Sequence, residues 1–310
     1  MDLERAKKIE LSDKEKFDSY FQKYPPEISE FTFTNLFAWQ NYYHSLYIEN
    51  EDHLIVFSND FLGKWKSSKK NSDDVLFFFP PIGKNPEQVI LDLFTKLPKC
   101  EIHRVPESLI SILQDMEEFK KLNLAIEEDR ANWDYMYDKE DLIALEGNKY
   151  RSKRRLLERF LEQYDYEFHL VTEDWLEKCR SLQNKWCIIN ECQSNEDLEQ
   201  EQIAIDRFLD HYTDLDYNGG LLLVDGKPAG YTFGEMLNED TNVIHIEKAH
   251  TYYEGSYQAI NNMFLKNCCD ENAKFVNREQ DLGVPGLRKA KESYHPKYMV
   301  KKYIVYQKQA

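Results

Sequence analysis

Leu221-Leu-Leu-Val-Asp-Gly-Lys-Pro-Ala-Gly-Tyr-Thr-Phe-Gly-Glu-Met236, followed by Val243-Ile-His-Ile-Glu-Lys-Ala249, is the stretch that decides the fold class. Two apolar runs flank Asp225-Gly226-Lys227, a turn composition, so Leu221–Met236 reads as a β-hairpin. Val243–Ala249 reads as a third strand. Strict alternation places His245, Glu247 and Ala249 on one face and Ile244, Ile246 and Lys248 on the other. A loop through Gly255 and a helix from Ser256, with Tyr257, Ile260, Phe264 and Cys268 on one face, come next. Lys274–Asn277 is a further short strand, a short helix Leu287–Ser293 follows Pro285-Gly286, and Val300–Gln307 is the last strand.

The first half repeats this order faintly. Strands are predicted at His53–Ser58 and Val75–Phe79, and a Pro/Gly loop leads to a helix capped by Asn85 with Pro86 at its first position. A second helix follows Pro106, and an aromatic strand spans Asn132–Tyr137. Between the halves, Glu167–Val171 reads as a strand. Helices are predicted after Ser12, Ser152, Thr172 and Ser194 from capping residues ahead of apolar stripes. The boundary falls near Glu146-Gly147-Asn148, which divides the chain into 1–146 and 147–310. The fold class is α/β (α+β): two tandem domains, each a mixed, mostly antiparallel sheet flanked by helices.

Composition sets outer limits. The chain has 310 residues, 42% of them apolar and 14% aromatic, enough for two packed cores. No run approaches the ~20 apolar residues of a membrane helix, and the opening lacks the features of a signal peptide. Cytoplasmic location without membrane insertion is the expectation. The formal charge of −16 opposes non-specific binding to nucleic acid or anionic membranes by the whole surface. Six cysteines lack framework or zinc spacing, so reduced, mostly buried thiols and no metal are expected.

The order of elements resembles the GNAT (N-acetyltransferase) fold. Particular residues narrow it: Phe31-Thr-Phe-Thr-Asn-Leu-Phe-Ala-Trp39, Phe79-Pro-Pro-Ile-Gly83, Lys149-Tyr-Arg-Ser-Lys-Arg154, Val243–Ala249, Asn277-Arg-Glu-Gln-Asp-Leu-Gly283 and Gly286–Tyr294. With these the chain resembles uncharacterised bacterial proteins related to the soluble C-terminal domain of phosphatidylglycerol lysyltransferases, over nearly its whole length. The resemblance implies an acyltransferase or aminoacyltransferase. Its donor would be acetyl-CoA, another acyl-CoA or an aminoacyl-tRNA; its acceptor would be an amine or hydroxyl of a small, amino-acid-like molecule. Lysyltransferases of that group, and the peptidoglycan interpeptide transferases with tandem GNAT domains, use aminoacyl-tRNA.

Glu247 is the candidate general base, or the group that orients the acceptor amine, because a charge amid isoleucines is costly unless paired or facing a cleft. Tyr294 is the candidate acid. Asn277, Arg278, Glu279 and Asp281 form a polar run after a core strand, and Arg288 and Lys291 follow on the short helix; Arg278, Arg288 and Lys291 would hold a carboxylate or phosphate, with Asn277 and Glu279 or Asp281 at the edge of the cleft. Gly255 and Ser256 mark where a GNAT enzyme binds the coenzyme A pyrophosphate, but the glycine-rich basic signature is missing and Glu254 has the wrong sign. Weak or no binding of coenzyme A is therefore expected. Lys149, Arg151, Lys153 and Arg154 are either a solvated face or an RNA contact. His245 and His250 read as structural. Trp39, Tyr42 and Tyr43 read as core, and the first half reads as a degenerate copy without a polar cluster. A non-catalytic binding module is the alternative. Nucleophile-elbow, Walker and dinucleotide motifs are absent.

Overall fold

The structure, a computed structural model, describes residues 3–50, 52–59, 75–97 and 99–308. It contains two compact units. The first comprises residues 1–134, 280–284 and 300–310, and the second 135–279 and 285–299. In chain order the strands are β1 (Lys7–Lys8), β2 (Leu46–Asn50), β3 (His53–Ser58), β4 (Leu76–Phe78), β5 (Cys100–Pro106), β6 (Leu124–Glu128), β7 (Asp134–Asp138), β8 (Tyr166–Leu170), β9 (Asn218–Val224), β10 (Lys227–Asn238), β11 (Thr241–Ala249), β12 (Phe275–Asn277), β13 (Tyr298–Val300) and β14 (Lys302–Gln307). One seven-stranded sheet runs β1-β2-β3-β4-β5-β14-β6 and the other β13-β7-β12-β11-β10-β9-β8. Each sheet is mostly antiparallel and holds one parallel pair joined by a crossover helix: β4 with β5 around Pro86–Lys96, and β11 with β12 around Ser256–Asn267.

The predicted repeat of elements is present, but its division into 1–146 and 147–310 is not the division into sheets. The aromatic strand that ends the first half, β7, pairs with β12, and the strand that ends the chain, β14, lies between β5 and β6. Sequence order cannot reveal this exchange. A strand such as Tyr135-Met-Tyr137, buried on both faces, fits any central slot of the right length.

The hairpin closes as read. Asp225 and Gly226 have φ of 48° and 71°, the paired left-handed values of a two-residue type I′ turn. Ile260 and Phe264 of the crossover helix bury their side chains completely against Leu222, Val224, Ala229, Ile244 and Ala249. On the opposite face, helices Glu173–Ile189 and Glu196–Asp210 contribute the buried Cys179, Leu182, Ile205 and Phe208. In the first unit, Ile90, Phe94, Leu109 and Leu113 cover Ile55, Phe57, Phe78, Ile102 and Val305.

Several local expectations shift. Asn195, not Ser194, caps the acidic helix, accepting from the Asp197 and Leu198 amides at 3.0 and 3.3 Å. Near the start, the capping box is Glu10 with Asp13 around a short 3-10 turn, ahead of the helix Lys14–Lys23. Strands β2, β5 and β6 escape the pattern; β5 is masked by Glu101, His103 and Arg104, the last with φ +61° in a bulge opposite β14. Cys187 and Cys192 are not free thiols. The turn through Glu191 brings their Cα atoms to 5.0 Å and the sulfurs are bonded. Cys100, Cys179, Cys268 and Cys269 are thiols.

Replacing the fully buried Ile260 by Ala should cost about 2–5 kcal/mol, the usual range for such a truncation, measured as a lowered urea midpoint at unchanged slope.

Candidate functional site

The second sheet opens at its parallel pair. Thr241, Asn242 and Val243 pair with Phe275, Val276 and Asn277, and there the ladder stops. Strand β11 runs on for six more residues while the segment after β12 turns away through Glu279, at φ +54°. A bulge lies in the same stretch. Phe233 faces Ile246 and Gly234 faces Ile244, leaving His245 as the extra residue on β11. A bulge reverses side-chain parity beyond it. The expected sharing of a face by His245 and Glu247 is therefore corrected. His245 lies beside Phe208 of helix Glu196–Asp210, with ring centroids 5.6 Å apart. Glu247 points to the crossover helix, where Asn261 Nδ2 donates to its Oε2 at 2.7 Å.

Consecutive residues of the polar run then serve opposite faces. Arg278 Nη2 donates to Glu247 Oε1 at 2.6 Å. Glu279 Oε1 meets His245 Nδ1 at 2.8 Å, and Glu235 Oε1 meets Nε2 at 2.8 Å. Ionised carboxylates only accept, so both ring nitrogens donate and the ring is an imidazolium. Burial disfavours that charge, but the bonds to Glu235 and Glu279 prevail and bring the His245 pKa to about 9.

Around Arg278 the site is aromatic and polar. Its guanidinium carbon lies 4.8 Å from the Tyr294 ring centre and 5.7 Å from that of Tyr137. Gln258 Nε2 donates to the Tyr294 hydroxyl at 3.2 Å. Burial pushes the Tyr294 phenol above its ordinary value, with Arg278 opposing, so the hydroxyl keeps its proton at neutral pH. Lys291 Nζ donates to the Arg278 carbonyl oxygen. Lys153, from helix Arg151–Gln163, places its ammonium 4.4 Å from the Tyr294 ring centre.

The other sequence candidates fall elsewhere. Arg288 is half-buried on helix Pro285–Glu292; the groups that bind Glu247 are Arg278 and Asn261. Asn277 is fully buried and accepts from the Glu279 amide at 2.8 Å. Asp281 belongs to the first unit and pairs there with Arg130 at 2.9 Å. Gly255 has φ +88°, and a Cβ there would lie 2.2 Å from the Leu156 carbonyl oxygen, so helix Arg151–Gln163 closes over this turn. The Ser256 amide is bonded to the Tyr253 carbonyl oxygen at 3.0 Å, and Glu254 pairs with Arg159. Most of the basic run is likewise engaged. Lys149 pairs with Asp141 at 3.0 Å, and Arg154 donates to the carbonyls of Leu145 and Gly147; Arg151 is exposed. Among the described residues no group of three His, Cys, Asp or Glu side chains is arranged for a metal ion.

The first unit holds what sequence reading missed. Lys302, completely buried, lies 2.5 Å from Glu30 and 2.7 Å from Asp134. Arg104 pairs with Glu30 at 3.1 Å and with Asp129, and the Ser29 amide and hydroxyl both donate to Asp134. Burial and Asp134 push the Glu30 carboxyl up. The first half is therefore not devoid of a polar cluster: this network joins two buried cations to three buried carboxylates. The readable signal is a charge inside an apolar strand, as at Trp133-Asp-Tyr-Met and Val300-Lys-Lys-Tyr-Ile.

Two units of seven strands, each with one parallel pair joined by a crossover helix, define a tandem GNAT-like protein. The family described as phosphatidylglycerol lysyltransferase, C-terminal, matches residues 21–306, and the chain belongs to it. A conserved protein of unknown function from Bacteroides thetaiotaomicron is 30% identical and superposes with a TM-score of 0.86, over 98% of this chain and 99% of that one. The C-terminal domain assigned to a lysylphosphatidylglycerol synthetase of Agrobacterium fabrum shares 12% identity at a TM-score of 0.64, over 96% and 92% of the two chains, which is a likeness of fold. An uncharacterised protein of Mycoplasmoides gallisepticum is 25% identical over 181 residues; the match spans 56% of this chain and 56% of that relative, so about half the length of the curated relative is covered. No helix among the described residues is long and apolar enough to cross a membrane.

The His245 charge predicts a pH dependence. Its folded pKa, about 9, lies above the ordinary value of ~6.5, so its stabilisation is complete below ~6.5 and is lost as pH rises through about 9. The difference corresponds to about 3 kcal/mol. Urea midpoints measured from pH 6.5 to 9.5 should fall more in the native protein than in His245→Gln, about in that proportion.

Proposed function

We propose that the second unit transfers an aminoacyl group from an aminoacyl-tRNA to the amine or hydroxyl of a small, amino-acid-like acceptor. The observation that carries this reading is the Arg278–Glu247–Tyr294 cluster, set where the β11–β12 ladder opens, in a chain of this family. The acceptor attacks the ester carbonyl, and the bond to the ribose oxygen breaks. Tyr294 donates its proton to that departing oxygen, and the proton released by the acceptor restores the tyrosine. The phenol suits the task because its oxygen accepts from Gln258 while its hydrogen is left to donate. Both oxygens of Glu247 are already engaged, by Arg278 and Asn261. Its role in the proposal is to fix Arg278 rather than to act as the base.

An acyl-CoA is the weaker choice of donor, because the Gly255–Ser256 turn is covered by Leu156 and Glu254 stands beside it. The engagement of both Glu247 oxygens favours the alternative of a non-catalytic binding module. To separate the two readings, the full chain is incubated with labelled aminoacyl-tRNA, or with acetyl-CoA, and a pool of small amines. Label should move from the aminoacyl-tRNA to an amine. Tyr294→Phe should lower the turnover by about 10²–10⁴, the worth of a proton donor, with the urea midpoint little changed. Absence of transfer from either donor supports the binding module and sinks the transferase reading.

A further inference from the structure

The groups around Tyr294 are out of electrostatic balance. Arg278 and Lys153 both lie against its ring, at 4.8 and 4.4 Å. Glu247 answers Arg278, and among the described residues no carboxylate pairs with Lys153. Burial lowers the Lys153 pKa and the nearby Arg278 lowers it further, with no acid offsetting them. Arg278 Nη1 is buried and has no hydrogen-bond partner. An unmade bond of a buried charged donor is costly, and the two neighbouring cations, with a carboxylate on Arg278 alone, repel each other.

The placement of Lys153 adds a separate argument. Arg151, Lys153 and Arg154 occupy the first turn of helix Arg151–Gln163, which carries no acidic residue there. The positive end of the helix dipole disfavours cations at that end, so helix stability does not explain them. Arg154 has a structural duty, donating to the Leu145 and Gly147 carbonyls. Lys153, half-buried and directed to Tyr294, has none of that kind.

We propose that Arg278 Nη1, Lys153 Nζ and the Tyr294 edge form an oxyanion site for a phosphate group of the donor substrate, in place of the covered Gly255–Ser256 turn. A phosphate oxygen there supplies the missing acceptor to Nη1 and the missing counter-charge to Lys153, with charge-assisted bonds to both. Two sources carry this chemistry: the phosphodiesters at the 3′ end of a tRNA, and the phosphates of coenzyme A. The inference rests on the transferase reading only in naming the donor as the source; the site itself is read by binding, without turnover.

The test uses the full chain at low salt, with the ribonucleotide trimer CCA and with coenzyme A as separate probes, titrated by calorimetry. Variants are Lys153→Met and, as a control on the same helix, the exposed Arg155→Met. At least one probe should bind the native protein. Its affinity should fall about tenfold or more in Lys153→Met, as for a lost bond between charged groups, and by less than about twofold in Arg155→Met, as for an exposed charge. Inorganic phosphate should compete with it. Binding of CCA assigns the site to RNA, and binding of coenzyme A assigns it to a thioester donor. No binding of either probe, unchanged affinity in Lys153→Met, or equal losses in the two variants overturns the proposal. Lysine-dependent binding without any transfer activity upholds this site and removes the transferase reading alone.

Discussion

One extra residue in strand β11 sets the chemistry of the second unit. The bulge at His245 reverses the parity of everything after it, so that Glu247 reaches the crossover helix while His245 reaches the helix pair on the other side. Without it, an imidazolium and a carboxylate would compete for one face. With it, each charge has its own partners, supplied by the adjacent residues Arg278 and Glu279 at the point where β12 ends. Buried charges persist only when paired and hydrogen-bonded, and the opened ladder is where this sheet has room to pair them.

The two faces are used differently. Around His245 the arrangement is closed: two glutamates grip one ring, every ring nitrogen is used, and the charge is held. Around Glu247 the arrangement is unbalanced toward positive charge and leaves a donor of Arg278 unmade. The first is a structural ion pair; the second is the imbalance on which the proposed oxyanion site rests. The first unit shows the closed pattern on a larger scale, with Lys302 and Arg104 shared among Glu30, Asp129 and Asp134. There Arg104 holds a left-handed backbone conformation, which persists only where the surrounding structure over-determines it.

Much was legible in the sequence because it is local. The Asp225-Gly226 turn, the apolar stripe of the crossover helix and the aromatic strands follow from turn chemistry and periodicity, and Glu247, Arg278 and Tyr294 stand out as charges or a phenol beside apolar runs. Short or charge-bearing strands such as β5 do not show, since Glu101, His103 and Arg104 break the alternation. The grouping of Lys153 with Tyr294, and the removal of Asp281 to the other unit, are likewise invisible.

The sequence by itself determined the class of fold, the order of elements and most of the polar residues of the second unit, because turns, caps and stripes are set by neighbours within a few positions. Only the tertiary structure decided which sheet receives each closing strand, which face each charge occupies and which of those charges remain unanswered. Those depend on pairing between residues far apart in the chain, and a single unpaired residue in a ladder is enough to invert them.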